Sequence, residues 1–132
     1  MLPEPGSPAD WLRHAKSDLA LARQAPSGDV LAETLCFHAQ QAVEKSIKAV
    51  LISVGIAFPK THSIERLVGM LPSAVSRGPD LLAAEWLTVY ATILRYPGAQ
   101  ETVSEERLRE AQRLAEAVLR WAEGTVHGGE RG

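Results

Sequence analysis

The sequence has very little cysteine, and this shortage already removes several classes of site. Cys36 is the single cysteine among 132 residues. An internal disulfide needs a second thiol, and a cysteine-based zinc site needs further thiolate ligands, so neither can be built from this chain alone. Cys36 is therefore expected to be a small buried hydrophobic residue of an intracellular protein.

Long apolar runs are also missing, and neither sign of charge dominates. No apolar stretch approaches the roughly 20 residues of a membrane-spanning helix, and the N-terminus lacks the positive and apolar regions of a secretion signal. The 14 basic and 16 acidic side chains give a formal net charge of −2, which argues against a protein that coats phosphate backbones by bulk charge. We expect a cytoplasmic protein with no membrane contact, in which any phosphate site is a local basic patch.

Familiar catalytic and cofactor motifs are absent as well. The sequence contains no glycine-rich phosphate loop, no Ser/His/Asp order, no nucleotidyltransferase carboxylate pair and no metal-binding spacing. His14 and Asp18 lie one helical turn apart, but they offer too few ligands for a metal and are interpreted as an exposed helix contact. We therefore predict no metal and no cofactor, in a chain that lacks the parts of a self-contained enzyme.

What the sequence does contain is a series of helical patterns. Ser7 and Pro8 mark the start of a first helix, which the Pro-Ser-Gly sequence at residues 26–28 should end. Asp29 is expected to cap a long second helix that runs to about Val54. The glycine that follows supplies its stop.

The second half of the chain carries further helical segments. A capped apolar pattern over residues 61–71 and another over residues 81–94 each predict a helix, and a last helix begins near Ser104. Its end is expected at Gly124, followed by a disordered tail over residues 125–132. In the helix over residues 81–94, the predicted apolar seam comprises Leu82, Trp86, Val89, Tyr90 and Ile93.

The alternating pattern of a half-buried strand is missing throughout the sequence. The tight link between the first two helices requires that they lie antiparallel, and the later helices can close the bundle. The sequence therefore predicts an all-α, four- to five-helix up-and-down bundle. It should form a single domain with a core over about residues 7–124.

The second helix carries the feature that matters most for function. At about 100° per residue, its polar and apolar side chains separate onto opposite faces. Packing explains the apolar face, whereas the polar stripe is where a binding function would sit. The polar stripe comprises Thr34, His38, Gln41, Lys45 and Lys48.

Three separate motifs, in this order, resemble those of the HEPN family, whose name stands for higher eukaryotes and prokaryotes nucleotide-binding. The first is FHAQQAVEKSIKA at residues 37–49, the second is PKTHSIERL at residues 59–67, and the third is RYP at residues 95–97. The resemblance spans about residues 9–123. It implies an all-α bundle, commonly a homodimer, that is often encoded beside a small nucleotidyltransferase in a two-component, toxin-antitoxin-like module.

The resemblance also implies contact with a nucleotide or with RNA phosphate. Arg95 matches the family's arginine position, and its planar fork of donors suits a phosphate. Lys45 and Lys48 would add positive charge, with His38 and Gln41 on the same face, if that face opens on a dimer groove. The alternatives are a salt bridge for Arg95, a solvated helix face for the two lysines and a structural hydrogen bond for His38.

Some families of this type are toxin ribonucleases, in which an Arg and a His are separated by four to six residues. The corresponding positions after Arg95 hold Gln100, Glu101 and Thr102. Neither an amide nor a hydroxyl shuttles a proton near pH 7, and Glu101 would need a raised pKa to act as a base. We therefore predict a binding module with no catalytic residue. The rival hypothesis is a metal-independent ribonuclease that uses Arg95 with His38 as a displaced imidazole.

Overall fold

A computed structural model describes residues 1–93 and 103–131. No strand forms in these two ranges, so the predicted all-α fold is confirmed. No helix within them is both long and apolar enough to cross a bilayer. In chain order the elements are α1 (Pro8–Ala22), α2 (Ala32–Ser53), α3 (Ile64–Gly69), α4 (Pro79–Ala83), a 3-10 helix (Ala84–Val89), α5 (Tyr90–Ile93) and α6 (Glu105–Arg131).

The start of α1 is the one that the sequence predicted. Ser7 is extended and its hydroxyl accepts the Asp10 amide at 3.2 Å, while Pro8 occupies the first turn. The Asp10 carboxylate also lies near the positive end of the helix dipole. The helix ends at Ala22, ahead of Pro26.

The predicted cap of α2, Asp29, is wrong. The helix begins at Ala32, and its cap position makes no side-chain hydrogen bond. Residues 27–30 form a tight turn instead, in which the amide of the last residue donates to the carbonyl of the first at 2.9 Å. Gly28 has φ 56° in this turn, so the chain reaches helical geometry only beyond Asp29.

The other end of α2 matches the predicted stop. Gly55 has φ 78°, a left-handed conformation that glycine adopts at low cost. The amide of Ile56 donates back to the carbonyl of Leu51 at 2.9 Å, which is the long hydrogen bond of a Schellman end. The sequence therefore located this boundary correctly from its glycine.

The predicted helix over residues 81–94 is wrong in its continuity and in part of its buried face, although Tyr90 is buried and Trp86 packs against the core. Within the described residues, α4 gives way to the 3-10 helix and then to α5, and Leu94 lies outside them. Leu82 and Val89 of the predicted seam are 65% and 52% exposed. The side chains that are buried recur at every third position, the period of a 3-10 helix. They are Leu81, Ala84, Leu87 and Tyr90, and Ala91 of α5 is buried as well.

α6 starts as predicted and ends later than predicted. Ser104 caps it by accepting the Arg107 amide at 3.1 Å. The predicted end at Gly124 is wrong, because the helix continues to Arg131 through most of the predicted tail. Val126 is 2% exposed and extends the apolar seam. A glycine inside a helix costs about 1 kcal/mol, which the burial of a valine outweighs.

Side-chain contacts fix how α1 and α2 lie. Trp11, near the start of α1, meets Phe58 just beyond the end of α2, with ring centroids 5.8 Å apart. Asp18, farther along α1, hydrogen bonds to His38 in the first half of α2. The two helices are therefore antiparallel, as the sequence predicted.

α6 also runs antiparallel to α1. Gln112 donates to the carbonyl of Ala22 at 2.8 Å, and Glu123 pairs with Lys16 at 3.1 Å. Since α1 opposes both of the other long helices, α2 and α6 point in the same direction. Residues 54–104 form the crossover between them.

α2 is the central helix of the described fold. No residue from 32 to 52 is exposed. Cys36 is fully buried, as predicted, and burial raises the pKa of its thiol to about 11. Even the polar stripe of α2 therefore lies beneath or beside side chains of neighbouring elements.

Candidate functional site

The first part of the polar stripe is organised by a carboxylate from another helix. Asp18 of α1 is 8% exposed, and its two oxygens accept hydrogen bonds from two side chains of α2. His38 Nδ1 lies 3.0 Å from Oδ1, and Lys45 Nζ lies 2.6 Å from Oδ2. We call Asp18, His38 and Lys45 the α1–α2 cluster.

The predicted exposed contact between His14 and Asp18 is wrong. α2 covers Asp18, whose oxygens are occupied by the two side chains of the α1–α2 cluster. His14 lies near Asp10 instead, with 3.7 Å between Nε2 and the carboxylate. Helical side chains lean toward the N-terminus, which explains why His14 meets the residue one turn before it.

The α1–α2 cluster fixes the position of the proton on the His38 ring. An ionised carboxylate only accepts hydrogen bonds, so the nitrogen that faces Asp18 must carry the hydrogen. In the neutral ring the other nitrogen, Nε2, keeps its lone pair, and no described residue hydrogen bonds to it. The side chains of His38 and Lys45 are 25% and 23% exposed. The cluster thus presents an oriented imidazole and an ammonium group at the surface.

A second carboxylate, Glu44, organises the other part of the polar stripe. It is 3% exposed and accepts from Gln40 at 3.0 Å, from Lys48 at 2.8 Å and from His62 Nδ1 at 2.9 Å. Burial alone would raise the pKa of Glu44, but the hydrogen bonds from these donors outweigh it and hold the pKa below its usual value. We call Gln40, Glu44, Lys48 and His62 the Glu44 cluster.

Lys48 is withdrawn from solvent within the Glu44 cluster. Its side chain is 9% exposed, and its ammonium lies 5.5 Å from the ring centre of Trp11 and 5.2 Å from that of Phe58. The charge is compensated by Glu44 and by the faces of the two rings. The structure therefore gives Lys48 a place inside the fold, whereas Lys45 keeps contact with solvent.

Gln41 lies at the edge of the Glu44 cluster. Its amide donates to Gln40 Oε1 at 2.6 Å, and Gln40 in turn donates to Glu44. Gln40 also donates to the carbonyl of His62 at 3.3 Å. A chain of hydrogen bonds therefore leads from the half-buried Gln41 side chain to the buried carboxylate.

The structure brings some of the predicted binding residues together and separates others. Arg95 lies outside the described residues, and so do residues 100–102, the positions that correspond to the histidine of the ribonuclease motif. The other predicted binding residues divide between the clusters, with His38 and Lys45 in the α1–α2 cluster, Lys48 in the Glu44 cluster and Gln41 at its edge.

Of the two carboxylates that organise these clusters, the sequence indicated the role of Glu44, as the helical partner of Lys48, but not the role of Asp18. Gln40, Glu44 and Lys48 are spaced by four residues, so their contact was visible as a helical pattern. The contacts of Asp18 with His38 and Lys45 were not visible in the sequence, because they depend on how α1 packs against α2. His62, just before α3, reaches back to Glu44 on the preceding helix, a long-range contact that helical spacing cannot predict.

A shallow cleft of about 480 Å³ lies between the 3-10 helix and the start of α6. The guanidinium of Arg107 lies 4.7 Å from the ring centre of Trp86, and Tyr90 meets the same ring edge-on at 6.0 Å. Glu106 and Glu110 also line the cleft. These carboxylates repel phosphate, so this cleft is a weaker candidate for an anion site than the α1–α2 cluster.

Within the described ranges, no group of three His, Cys, Asp or Glu side chains lies close enough together to hold a metal ion. The two buried carboxylates each bind a lysine and a histidine. Their geometry is that of hydrogen-bonded ion pairs.

Comparison with known proteins agrees with this architecture. The model of the HEPN domain matches residues 8–125. A crystal structure of TT1696 from Thermus thermophilus superimposes with a TM-score of 0.78 at 30% identity, covering 91% of this chain and 98% of that one. The crystal structure of ST0689, an archaeal HEPN homologue, gives 0.69 at 31% identity, with the same coverage. No curated protein matches. This chain belongs to the HEPN domain family.

Proposed function

We propose that this chain is a homodimeric HEPN module that binds the phosphate of a nucleotide or of RNA and works beside a small nucleotidyltransferase. It performs no chemistry of its own. Arg95 is its principal phosphate contact, and Lys45, His38 and Gln41 of α2 supply further polar contacts. Lys48 has a structural role beneath this surface, because its ammonium is covered by the rings of Trp11 and Phe58.

One observation carries the proposal, namely that a lysine and an oriented histidine stand together where solvent reaches the central helix. Lys45 and His38 are both held by Asp18, and both remain about a quarter exposed. Burying a carboxylate such as Asp18 is costly, and apolar residues of similar size would avoid that cost. Its presence favours a binding role over a packing role, since charged nitrogen donors suit phosphate oxygens.

The homodimer and the nucleotidyltransferase partner are proposed from membership of the family. Leu31 and Leu82 are 56% and 65% exposed and offer apolar surface that another subunit can cover. Light scattering on purified protein should give twice the 14.3 kDa mass of the single chain. A mass of one chain contradicts the dimer, and failure to co-purify with any nucleotidyltransferase contradicts the partnership.

Arg95→Ala tests the phosphate contact. Loss of a charge-assisted, forked contact should weaken binding of ATP or a short RNA by about tenfold or more. Arg66→Ala is the matched control, because Arg66 is an exposed arginine on α3. Equal affinities of the two variants, or no binding by the unchanged protein, contradict the proposal.

The rival function is a metal-independent ribonuclease, and the Asp18–His38 pair is the observation that favours it. A carboxylate on Nδ1 leaves the Nε2 lone pair able to take a proton from a ribose hydroxyl. Expression in cells separates the two functions. RNA cleavage that disappears in both Arg95→Ala and His38→Gln supports the enzyme, and harmless overexpression supports the binding module.

A further inference from the structure

The α1–α2 cluster carries no net charge while its histidine is neutral. The negative charge of Asp18 is cancelled by the ammonium of Lys45 at 2.6 Å, and the imidazole adds nothing. Among the described residues, Asp18 is the ion-pair partner of both side chains, and the neighbouring Phe37 ring is apolar. The lysine therefore offers a phosphate far less attraction than its formal charge suggests.

The direction of the hydrogen bond to His38 adds a second obstacle. Because Nδ1–H donates to Asp18, the neutral ring presents a lone pair at Nε2. Phosphate oxygens are acceptors, so a lone pair opposes them. Protonation of the ring reverses both effects at once, since it adds a positive charge and turns Nε2 into a donor.

We propose that a phosphate group bound at the α1–α2 cluster is taken up together with one proton on His38, with Asp18 as the positioning residue that makes this proton necessary. The inference rests on the proposed function, because it concerns the same phosphate. It makes phosphate affinity fall as the pH rises, because a neutral His38 ring adds no charge and presents a lone pair at Nε2.

The test uses a short oligouridylate as probe, because its internal phosphodiesters do not change charge between about pH 5.5 and 8. Its affinity for the full chain is measured at constant ionic strength across this range. In the upper part of the range the Kd should rise about tenfold per pH unit, as expected when one proton is required. Calorimetry in two buffers of different ionisation enthalpy should report the uptake of about one proton.

Three variants test whether His38 is the residue that takes up the proton. His38→Gln should bind weakly at every pH and lose the pH dependence. His14→Gln is the matched control, an exposed histidine that also lies near a carboxylate, and it should behave like the unchanged protein. Asp18→Asn leaves the charge of Lys45 uncompensated, so it should bind several-fold more tightly at about pH 8, where the unchanged protein binds poorly.

ATP is the second probe, and comparing its binding with that of the oligouridylate distinguishes a mononucleotide ligand from an RNA backbone. Its terminal phosphate itself gains a proton near pH 6, so ATP is compared between variants only at about pH 8. The ligand that binds identifies the source of the phosphate, and Asp18→Asn should tighten its binding.

The outcomes separate the two proposals. If neither ligand binds at any pH, the proposed function fails. If a ligand binds equally well across the range, or if His38→Gln keeps the full pH dependence, the function stands and the coupled proton is refuted. Should Asp18→Asn fail to fold, the contrast between His38→Gln and His14→Gln still decides the matter.

Discussion

Among single residues, Glu44 is a buried charge that binds three different side chains. Its carboxylate is almost wholly buried and binds the ammonium of Lys48, the amide of Gln40 and the ring of His62. The ammonium is itself enclosed by the rings of Trp11 and Phe58. Removing the carboxylate charge would therefore strand a lysine that has little access to water.

Glu44→Gln should lower the free energy of unfolding at pH 7 by about 3–5 kcal/mol, because it leaves a buried charge without its partner. Urea denaturation followed by circular dichroism measures this change. Glu65→Gln is the control, since Glu65 is exposed on α3, and it should stay within about 0.5 kcal/mol of the unchanged protein. Equal effects of the two substitutions would rule out the buried pair as a source of stability.

The cost of Glu44→Gln should also depend on pH. The pKa of Glu44 in the folded chain lies below its ordinary value of 4.5, so the ionised carboxylate stabilises the fold fully above that value. This contribution is lost as the pH falls from the ordinary value toward the lower folded one. The difference in unfolding free energy between the two proteins should shrink below about pH 4.5. A difference that stays constant into acid contradicts this assignment.

The residue scale is also where the sequence falls short. His38 and Lys45 could be placed on one polar stripe from helical spacing alone, and the structure brings them together. The spacing assigned Asp18 to His14 instead, because a carboxylate on another helix becomes the partner of His38 and Lys45 only through packing. Arg95 lies outside the described residues, so its role stays a prediction.

Among the elements, the stretch from α4 to α5 departs most from its sequence pattern. This short stretch contains apolar residues at spacings of three and four, which fit an α-helix, and also apolar residues at every third position, which fit a 3-10 helix. Burial distinguishes them, since Leu81 is 1% exposed and its neighbour Leu82 is 65% exposed. Pattern alone therefore predicted that a helix exists here but not which side faces the core.

Leu81→Ala should lower the free energy of unfolding by about 2–5 kcal/mol, because it leaves a cavity in the core. Leu82→Ala removes the same atoms from an exposed position and should change it by less than about 0.5 kcal/mol. Thermal unfolding of the two variants gives the comparison. If Leu82→Ala were the more destabilising variant, the buried face would be the one that the sequence predicted.

Alanine substitutions at Gly124 and Gly55 test whether α6 continues through Gly124, because the two glycines have different backbone conformations. Gly124 lies inside the helix with open space around a built Cβ, so Gly124→Ala should stabilise the fold by about 0.4–1 kcal/mol. Gly55 has φ 78°, where a Cβ is strained, so Gly55→Ala should destabilise it by about 1 kcal/mol. Chemical denaturation measures both. Destabilisation by Gly124→Ala would mean that the helix ends there.

Over the whole molecule, α2 contacts both other long helices, and the buried side chains of the described elements form one core. The chain should therefore unfold in a single step. Fluorescence reports on Trp11, Trp86 and Trp121, which lie in different elements, while circular dichroism reports on helix content. The two denaturation curves should coincide. Separate midpoints would show that one part of the bundle melts independently.

The parallel arrangement of α2 and α6 bears on the order of assembly. The α1–α2 hairpin closes through a short link, whereas contact between α2 and α6 must enclose the whole crossover of residues 54–104. The entropy lost in closing a loop grows with its length. The first two helices can thus pair while the ribosome is still making the rest of the chain. We expect α6 to pack against the paired α1 and α2 as the last step of folding.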